Sequence, residues 1–326
     1  MTIEGKIALE EHFLDPAQDA YFDMVSHGKD PFTGPHAVEV MKKLRDTDAA
    51  RIADMDRIGI EIAVLSYYNG SSVQLDPDHD RAESTAQAMN DFLAARIAAH
   101  PDRFKGWAAL PVQDPQAAAR ELVRCVNELG FVGAMINGHT QGEYLDEPRF
   151  LPIWEKAAEL NVPIYLHPGI TTPDPVRSYA AYPALEKPAW GWSVETGLHA
   201  LRIILGGVFD RFPDMQLVLG HMGELLPFHC ARFDQIEPAT QAQKGAPKHA
   251  ITHYIHNNIM ITTSGNLSPA TMIGAILEMG ADRILYATDY PLADADHFNH
   301  LVETAPISHA DLMKICRDNS RRLFGL

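Results

Sequence analysis

Apolar, β-branched runs of six or seven residues recur along the chain, each followed by a polar stretch and then by apolar residues at helical spacing. The runs are KIALEE (6–11), EIAVLS (61–66), FKGWAAL (104–110), VGAMIN (132–137), VPIYLH (162–167), MQLVLGH (215–221), NIMITTS (258–264) and RILYATD (283–289). Several are apolar almost throughout, the pattern of parallel strands covered on both faces. Helical spacing runs over 48–58, 79–99, 115–129, 149–160, 195–211, 268–279 and 308–323. Ser268 and Ser308 are placed to cap the helices that follow them, and Gly59, Gly130 and Gly280 to end helices before the next strand. Strand then helix, eight times over, predicts an α/β protein built as one (β/α)₈ barrel spanning residues 1–326. Two stretches read as insertions: about 20–47 after the first strand, and the Pro-rich 168–188 after the fifth, a long loop over the barrel mouth.

In such a barrel the βα loops converge at the carboxyl ends of the strands, so a polar residue there is placed for chemistry. Glu10 and His12 stand two apart at the end of the first run, and alternation sends both to one face. His167 ends the fifth run, His221 the sixth and Asp289 the eighth. Carboxylates and imidazoles converging from separate strands suit a hard or borderline divalent cation, and the lack of thiolates argues against a closed structural zinc site. Burying Asp289 without a cation or partner would be costly. Glu224 follows His221 by three residues, a carboxylate able to fix the imidazole tautomer, and the two are read as a dyad. Arg232 follows Glu224 and Phe228 at helical spacing. His79, His249, His253, His256 and His297 fall in helical or loop contexts and are read as solvated.

Charge narrows the partners. The 326 residues carry 43 acidic against 27 basic side chains, a formal net charge of -16. That field repels nucleic acid and anionic membrane surfaces, so the expected partner is a small molecule; an anionic one needs local cations. Cys125, Cys230 and Cys316 show no paired spacing and read as reduced thiols. The start MTIEGKIALEEHF has no signal-peptide pattern, and no apolar stretch approaches the roughly 18 residues a spanning helix requires, so a cytoplasmic protein is expected.

LEEHF (9–13), the segment around Asn137, LHP (166–168), GHMGE (220–224), TTSG (262–265), TDYP (288–291), RCVNELGFVGA (124–134) and RRLF (321–324) together carry a family likeness. The chain resembles, along nearly its full length, the metal-dependent aromatic decarboxylase branch of the amidohydrolase superfamily, most nearly its γ-resorcylate (2,6-dihydroxybenzoate) type. The resemblance implies one divalent ion, manganese first and zinc second, on Glu10, His12, His167 and Asp289. It implies non-oxidative loss of CO₂ from an ortho-hydroxybenzoate, with Asp289 protonating the ring and high bicarbonate reversing the reaction. His221 and Glu224 would support that step, Arg232 would bind the carboxylate, Asn137 a ring hydroxyl, and Phe13 and Trp192 would stack on the ring. Some relatives carry alanine at the first-strand histidine, so His12 favours the γ-resorcylate type. Tyr290 and Leu292 stand where that type carries aromatic residues, and Leu292 departs from it, which bears on the ring-substitution pattern. A homo-oligomer, dimer or tetramer, is expected. The alternative on the same scaffold is a metal-dependent hydrolase, such as a lactonase, with Asp289 as base.

Overall fold

The computed structural model describes residues 3–26, 35–68, 70–169, 179, 182–242, 245–265 and 268–326. Strands form within all eight runs: β1 (Lys6–Phe13), β2 (Ile60–Tyr67), β3 (Phe104–Ala108), β4 (Gly133–Asn137), β5 (Ile164–His167), β6 (Leu217–Leu219), β7 (Ile259–Thr262) and β8 (Ile284–Leu285). Each pairs in parallel with the next in chain order. The ring closes where Leu9 N–H donates to Tyr286 O at 3.1 Å and His12 N–H to Tyr290 O at 2.7 Å. This is the (β/α)₈ barrel that the strand–helix alternation predicts.

The helices Ala49–Ile58, His79–Ala99, Pro115–Asn127, Leu151–Leu160 and Pro269–Met279 occupy the predicted stretches. Ser268 caps the last of these in a reciprocal box, its Oγ accepting from Thr271 N–H at 3.1 Å while Thr271 Oγ1 accepts from Ser268 N–H at 2.8 Å. Two stretches differ from expectation. The 195–211 pattern is a helix over Gly191–Leu205 that breaks at Gly206 and Gly207 before a short turn, Val208–Arg211. The 308–323 pattern is capped by Ser308 as predicted but widens into a π turn over Lys314–Asp318. The insertion after β1 carries helices Asp19–Ser26 and Pro35–Arg45, and Leu44 O accepts Leu14 N–H at 2.8 Å, tying it to the strand exit. In the loop predicted over the mouth, 170–178, 180 and 181 lie outside the described residues.

Alternation sorts the strand side chains into two cores. Ile7, Leu9, Ile62, Val64, Trp107, Met135, Tyr165, Val218, Met260, Leu285 and Ala287 fill the barrel interior. The opposite faces pack under the helices, as with Leu65, Phe104, Ile136 and Ile261. In β1 the pairing with β2 slips between Ala8 and Glu11, where three steps of β1 match two of β2. This bulge re-aims the strand. Ile7 and Leu9 face inward below it, Glu10 and His12 face inward above it, and Glu11 and Phe13 face the outer layer.

Candidate active site

Above the apolar interior the inward positions turn polar. Glu10, at the bulge, is fully buried. Its Oε2 accepts from the hydroxyls of Tyr165 and Ser264 and, at 3.2 Å, from Thr262. Gly220 makes this approach possible, because a Cβ there would sit 2.9 Å from Glu10 Oε2 and 3.1 Å from the Tyr165 hydroxyl. Among the described residues Glu10 Oε1 has no hydrogen-bond partner, and it stands 3.2 Å from His167 Nε2 and 3.3 Å from His221 Nε2.

The tautomers say what those nitrogens offer. His167 Nδ1 lies 2.8 Å from Pro168 O, which can only accept, so Nδ1 carries the proton and Nε2 presents its lone pair. His221 Nδ1 lies 2.6 Å from Glu224 Oε1, and the same logic turns its Nε2 toward Glu10. His12 Nδ1 is 2.9 Å from Ser66 Oγ, while its Nε2 is buried, unpartnered and 3.3 Å from the equally unpartnered Oδ1 of Asp289. Lone pairs of Glu10, His12, His167 and Asp289 thus face one another across a buried space. Beside them His221, set between Glu10 and Glu224, is the group positioned to hold a second proton on Nε2 until a cation takes its place. Ligand atoms of Glu10, His167, His221 and Asp289 all lie within 4.8 Å of one another. A mixed oxygen and imidazole set in this arrangement fits a single divalent cation.

The backbone that presents these groups is strained. His221, Met222, Glu224 and Leu225 all adopt left-handed φ, from 49° to 71°, and so does Asp289 at 60°. Non-glycine residues accept such conformations where function over-determines them. Gly265 clears the space for His221, since a Cβ there would meet the imidazole Cδ2 at 2.3 Å.

Charge states follow from the surroundings. Burial alone would raise the Glu10 carboxyl, but His221, His167 and His12 hold it well below the usual carboxylate range. Burial pulls His221 down, yet Glu10 and Glu224 outweigh it and push the imidazole up to about 10. His12 goes the other way, lowered by burial despite Asp289.

The structure brings Glu10, His12, His167, His221 and Asp289 together, with Glu224 buried behind His221. Asn137 is buried at the end of β4, in register with His167, its N–H donating to Gln74 Oε1 at 2.9 Å. Three expectations fare differently. Phe13 is a correction: it points into the outer core, stacked on Phe92 at 5.9 Å and edge-on to Tyr67 at 5.5 Å, and cannot face a ligand in the mouth. Arg232 is exposed on the helix Cys230–Gln241 and forms no ion pair among the described residues. Trp192 is half-buried in the first turn of its helix, and among the described residues no ring contact or hydrogen bond joins it to the cluster. His79, His249, His253, His256 and His297 are exposed, as read from the sequence. The three cysteines are buried, and burial raises Cys230 to about 11 and Cys316 to about 12.

Sequence reasoning missed the hydroxyls that hold Glu10 and the buried Arg51. Period two places Tyr165 on the same face as His167, and Ser264 with Thr262, so that signal was available. Arg51 donates to His12 O at 2.6 Å and stacks over Tyr290 with 4.8 Å to the ring centre. An arginine in a helix otherwise reads as solvated.

The amidohydrolase family pattern matches residues 36–326. The gamma-resorcylate decarboxylase of Rhizobium radiobacter is 44% identical over 333 residues, covering 99% of both chains. A solved 2,6-dihydroxybenzoate decarboxylase complexed with 2,6-dihydroxybenzoate superposes with a TM-score of 0.93 at 41% identity, covering 99% of this chain and 100% of that one. A dihydroxybenzoic acid decarboxylase from Polaromonas sp. JS666, with bound manganese and the inhibitor 2-nitroresorcinol, superposes with a TM-score of 0.92 at 42% identity, covering 99% and 98%. Among the described residues no helix is long and apolar enough to cross a membrane. With the family pattern running from residue 36 to the final residue and relatives matched end to end, the chain belongs to the amidohydrolase family.

Proposed function

We propose that this chain is a divalent-metal-dependent, non-oxidative decarboxylase of an ortho-hydroxybenzoate, with 2,6-dihydroxybenzoate the first candidate. The observation that carries the reading is the convergence at the mouth of the barrel of three buried ligand atoms, Glu10 Oε1, His12 Nε2 and Asp289 Oδ1, that have no hydrogen-bond partner among the described residues. Relatives matched end to end that are named for this reaction support it, one of them with manganese bound. Glu10, His12, His167 and Asp289 would hold the ion: ligand atoms of Glu10, His167, Asp289 and also His221 lie within 4.8 Å of one another, and His12 Nε2 stands 3.3 Å from Asp289 Oδ1. When bound, the ion would supply a Lewis acid that stabilises negative charge on the substrate's oxygens.

The protein's own groups account for the proton. Asp289 accepts the ortho-hydroxyl proton and delivers it to the ring carbon bearing the carboxylate. The electron pair of the carbon–carbon bond then returns to the ring, CO₂ departs, and Asp289 is left ionised. Glu224 keeps the His221 proton on Nδ1 and so aims Nε2 into the mouth. Asn137, inward beside His167, is placed to meet a ring hydroxyl. The test is CO₂ release from 2,6-dihydroxybenzoate by manganese-loaded protein, with benzoate and a methyl ester as controls. Only the ortho-hydroxy acid should react, and high bicarbonate should drive carboxylation of resorcinol. Turnover of benzoate refutes the proton route, and ester cleavage without CO₂ points to the hydrolase.

A further inference from the structure

At the opposite end of the barrel, below the starts of β5, β6, β7 and β8, lies a cavity of about 440 Å³. Its size falls in the range of small-ligand sites. The floor is apolar: Met260 belongs to the barrel interior and Leu323 packs against it. The wall carries Arg211, Arg283 and Arg322, with Asp214 the single carboxylate among the lining residues.

The three guanidinium groups are supplied without counter-charges. Arg283 is fixed by its Nε and Nη2, which donate to Ile259 O at 2.9 and 2.7 Å, and Nη2 also reaches Gln216 Oε1 at 2.7 Å. Its Nη1 remains for a ligand. Arg322 uses Nη2 on Asp282 O at 2.9 Å and Asn319 Oδ1 at 3.1 Å, leaving Nε and Nη1. Among the described residues the Arg211 side chain makes no hydrogen bond and none of the three forms an ion pair. A chain of net charge -16 has carboxylates in excess, yet these arginines gather without one each. The strain is visible on Arg283, which burial lowers to about 10 with the neighbouring charge of Arg322 adding to the effect. A bound anion removes that strain, because guanidinium groups meet tetrahedral or carboxylate oxygens in paired, charge-assisted hydrogen bonds.

We propose that this cavity binds a small dianion, a tetrahedral oxyanion or a compact dicarboxylate, held between Arg283 and Arg322 with Arg211 at the rim. The site is separate from the metal cluster, so its occupation stabilises the barrel without touching the reacting groups. The experiment follows the thermal midpoint of manganese-loaded protein titrated with sodium sulfate or sodium succinate up to 20 mM at constant ionic strength. A ligand bound only by the folded state, at ten or more times its Kd, should give a saturable rise in Tm of about 2 °C or more. Arg211→Gln and Arg322→Gln should abolish that rise while leaving CO₂ release in the absence of the anion unchanged. Arg211→Gln removes no hydrogen bond, so a failure to fold cannot hide the answer. A response to sulfate alone assigns the tetrahedral anion, and one to succinate alone the dicarboxylate. No saturable rise with either, or a rise that both variants keep, overturns the proposal.

Discussion

Glu10 and Glu11 are adjacent in sequence, both buried, and held in opposite states by the two faces of one strand. Glu10 faces inward among three histidines and is held ionised. Glu11 faces outward, where Thr288 donates its N–H at 3.1 Å and its hydroxyl at 2.9 Å. Burial wins there: against Thr288 and a nearby Arg51, the Glu11 carboxyl rises to about 8. The bulge in β1 decides which glutamate meets the cluster, and the neighbours then decide its charge. Burial by itself neutralises a carboxyl, and only converging partners keep one charged.

The largest effect should come from the inward side. Glu10→Gln removes the one charge aimed at the cluster through Oε1, so metal content by elemental analysis should fall and turnover should vanish. Chelation of the wild type should do the same, with recovery on adding manganese. A metal-free but active protein would contradict the assignment outright. Next comes Asp289→Asn, which keeps an oxygen ligand but cannot carry the proton. Loss of a positioned proton donor costs on the order of 10²–10⁴-fold in rate. If this variant holds its metal and turns over normally, His221, pushed up to about 10 among its carboxylates, becomes the proton donor.

The strands were legible because a strand buried on both faces is an unbroken apolar run, and those runs match β1 to β8. Two helices outside the predicted stretches lack a clean pattern. Ile251–Asn258 is rich in β-branched residues and histidine, and Cys230–Gln241 contains Pro238. Ligand convergence was legible from place, since Glu10, His167 and Asp289 each end an apolar run. Phe13 shows the same rule misapplied: alternation puts Glu10 and His12 on one face and therefore Phe13 on the other. The convergence of His221 was legible by the same rule, but the left-handed run from His221 to Leu225 that presents it was not, because no local propensity favours it.

The outward side gives a smaller effect. Glu11→Gln mimics the protonated carboxyl, so metal content and turnover should stay near those of the wild type. Glu11 has a folded pKa of about 8 against an ordinary value of 4.5, so the folded protein keeps a proton that the unfolded chain releases. Stability is therefore fully present below pH 4.5 and is lost as the pH rises through about 8. Between pH 5 and pH 7 the wild type should lose about 3 kcal/mol relative to Glu11→Gln, at 1.36 kcal/mol per pKa unit. Parallel pH curves for the two proteins in urea unfolding would mean that Glu11 is ionised after all.

His199 tests whether burial, as the leading cause, sets a charge state away from the metal cluster, and should give the smallest effect. It is 1% exposed on the helix Gly191–Leu205, with Nε2 accepting from Leu145 N–H at 2.9 Å. That bond requires the neutral ring, and Tyr144 packs edge-on at 5.0 Å. Burial, then the charges of His139 and Arg202, lower the imidazole to about 3. Here the unfolded chain binds the extra proton, so the sign is opposite to that of Glu11. Stability is present above pH 6.5 and is lost as the pH falls toward about 3. Lowering the pH from 7.5 to 5 should cost about 2 kcal/mol through this group. His199→Gln can still accept from Leu145 through its amide oxygen but does not titrate. The difference between the two proteins' unfolding free energies at these two pH values isolates His199, because the other histidines cancel. An equal loss in both proteins would show that the folded protein tolerates the charged ring, and that burial with the positive charges of His139 and Arg202 nearby does not set the state of His199.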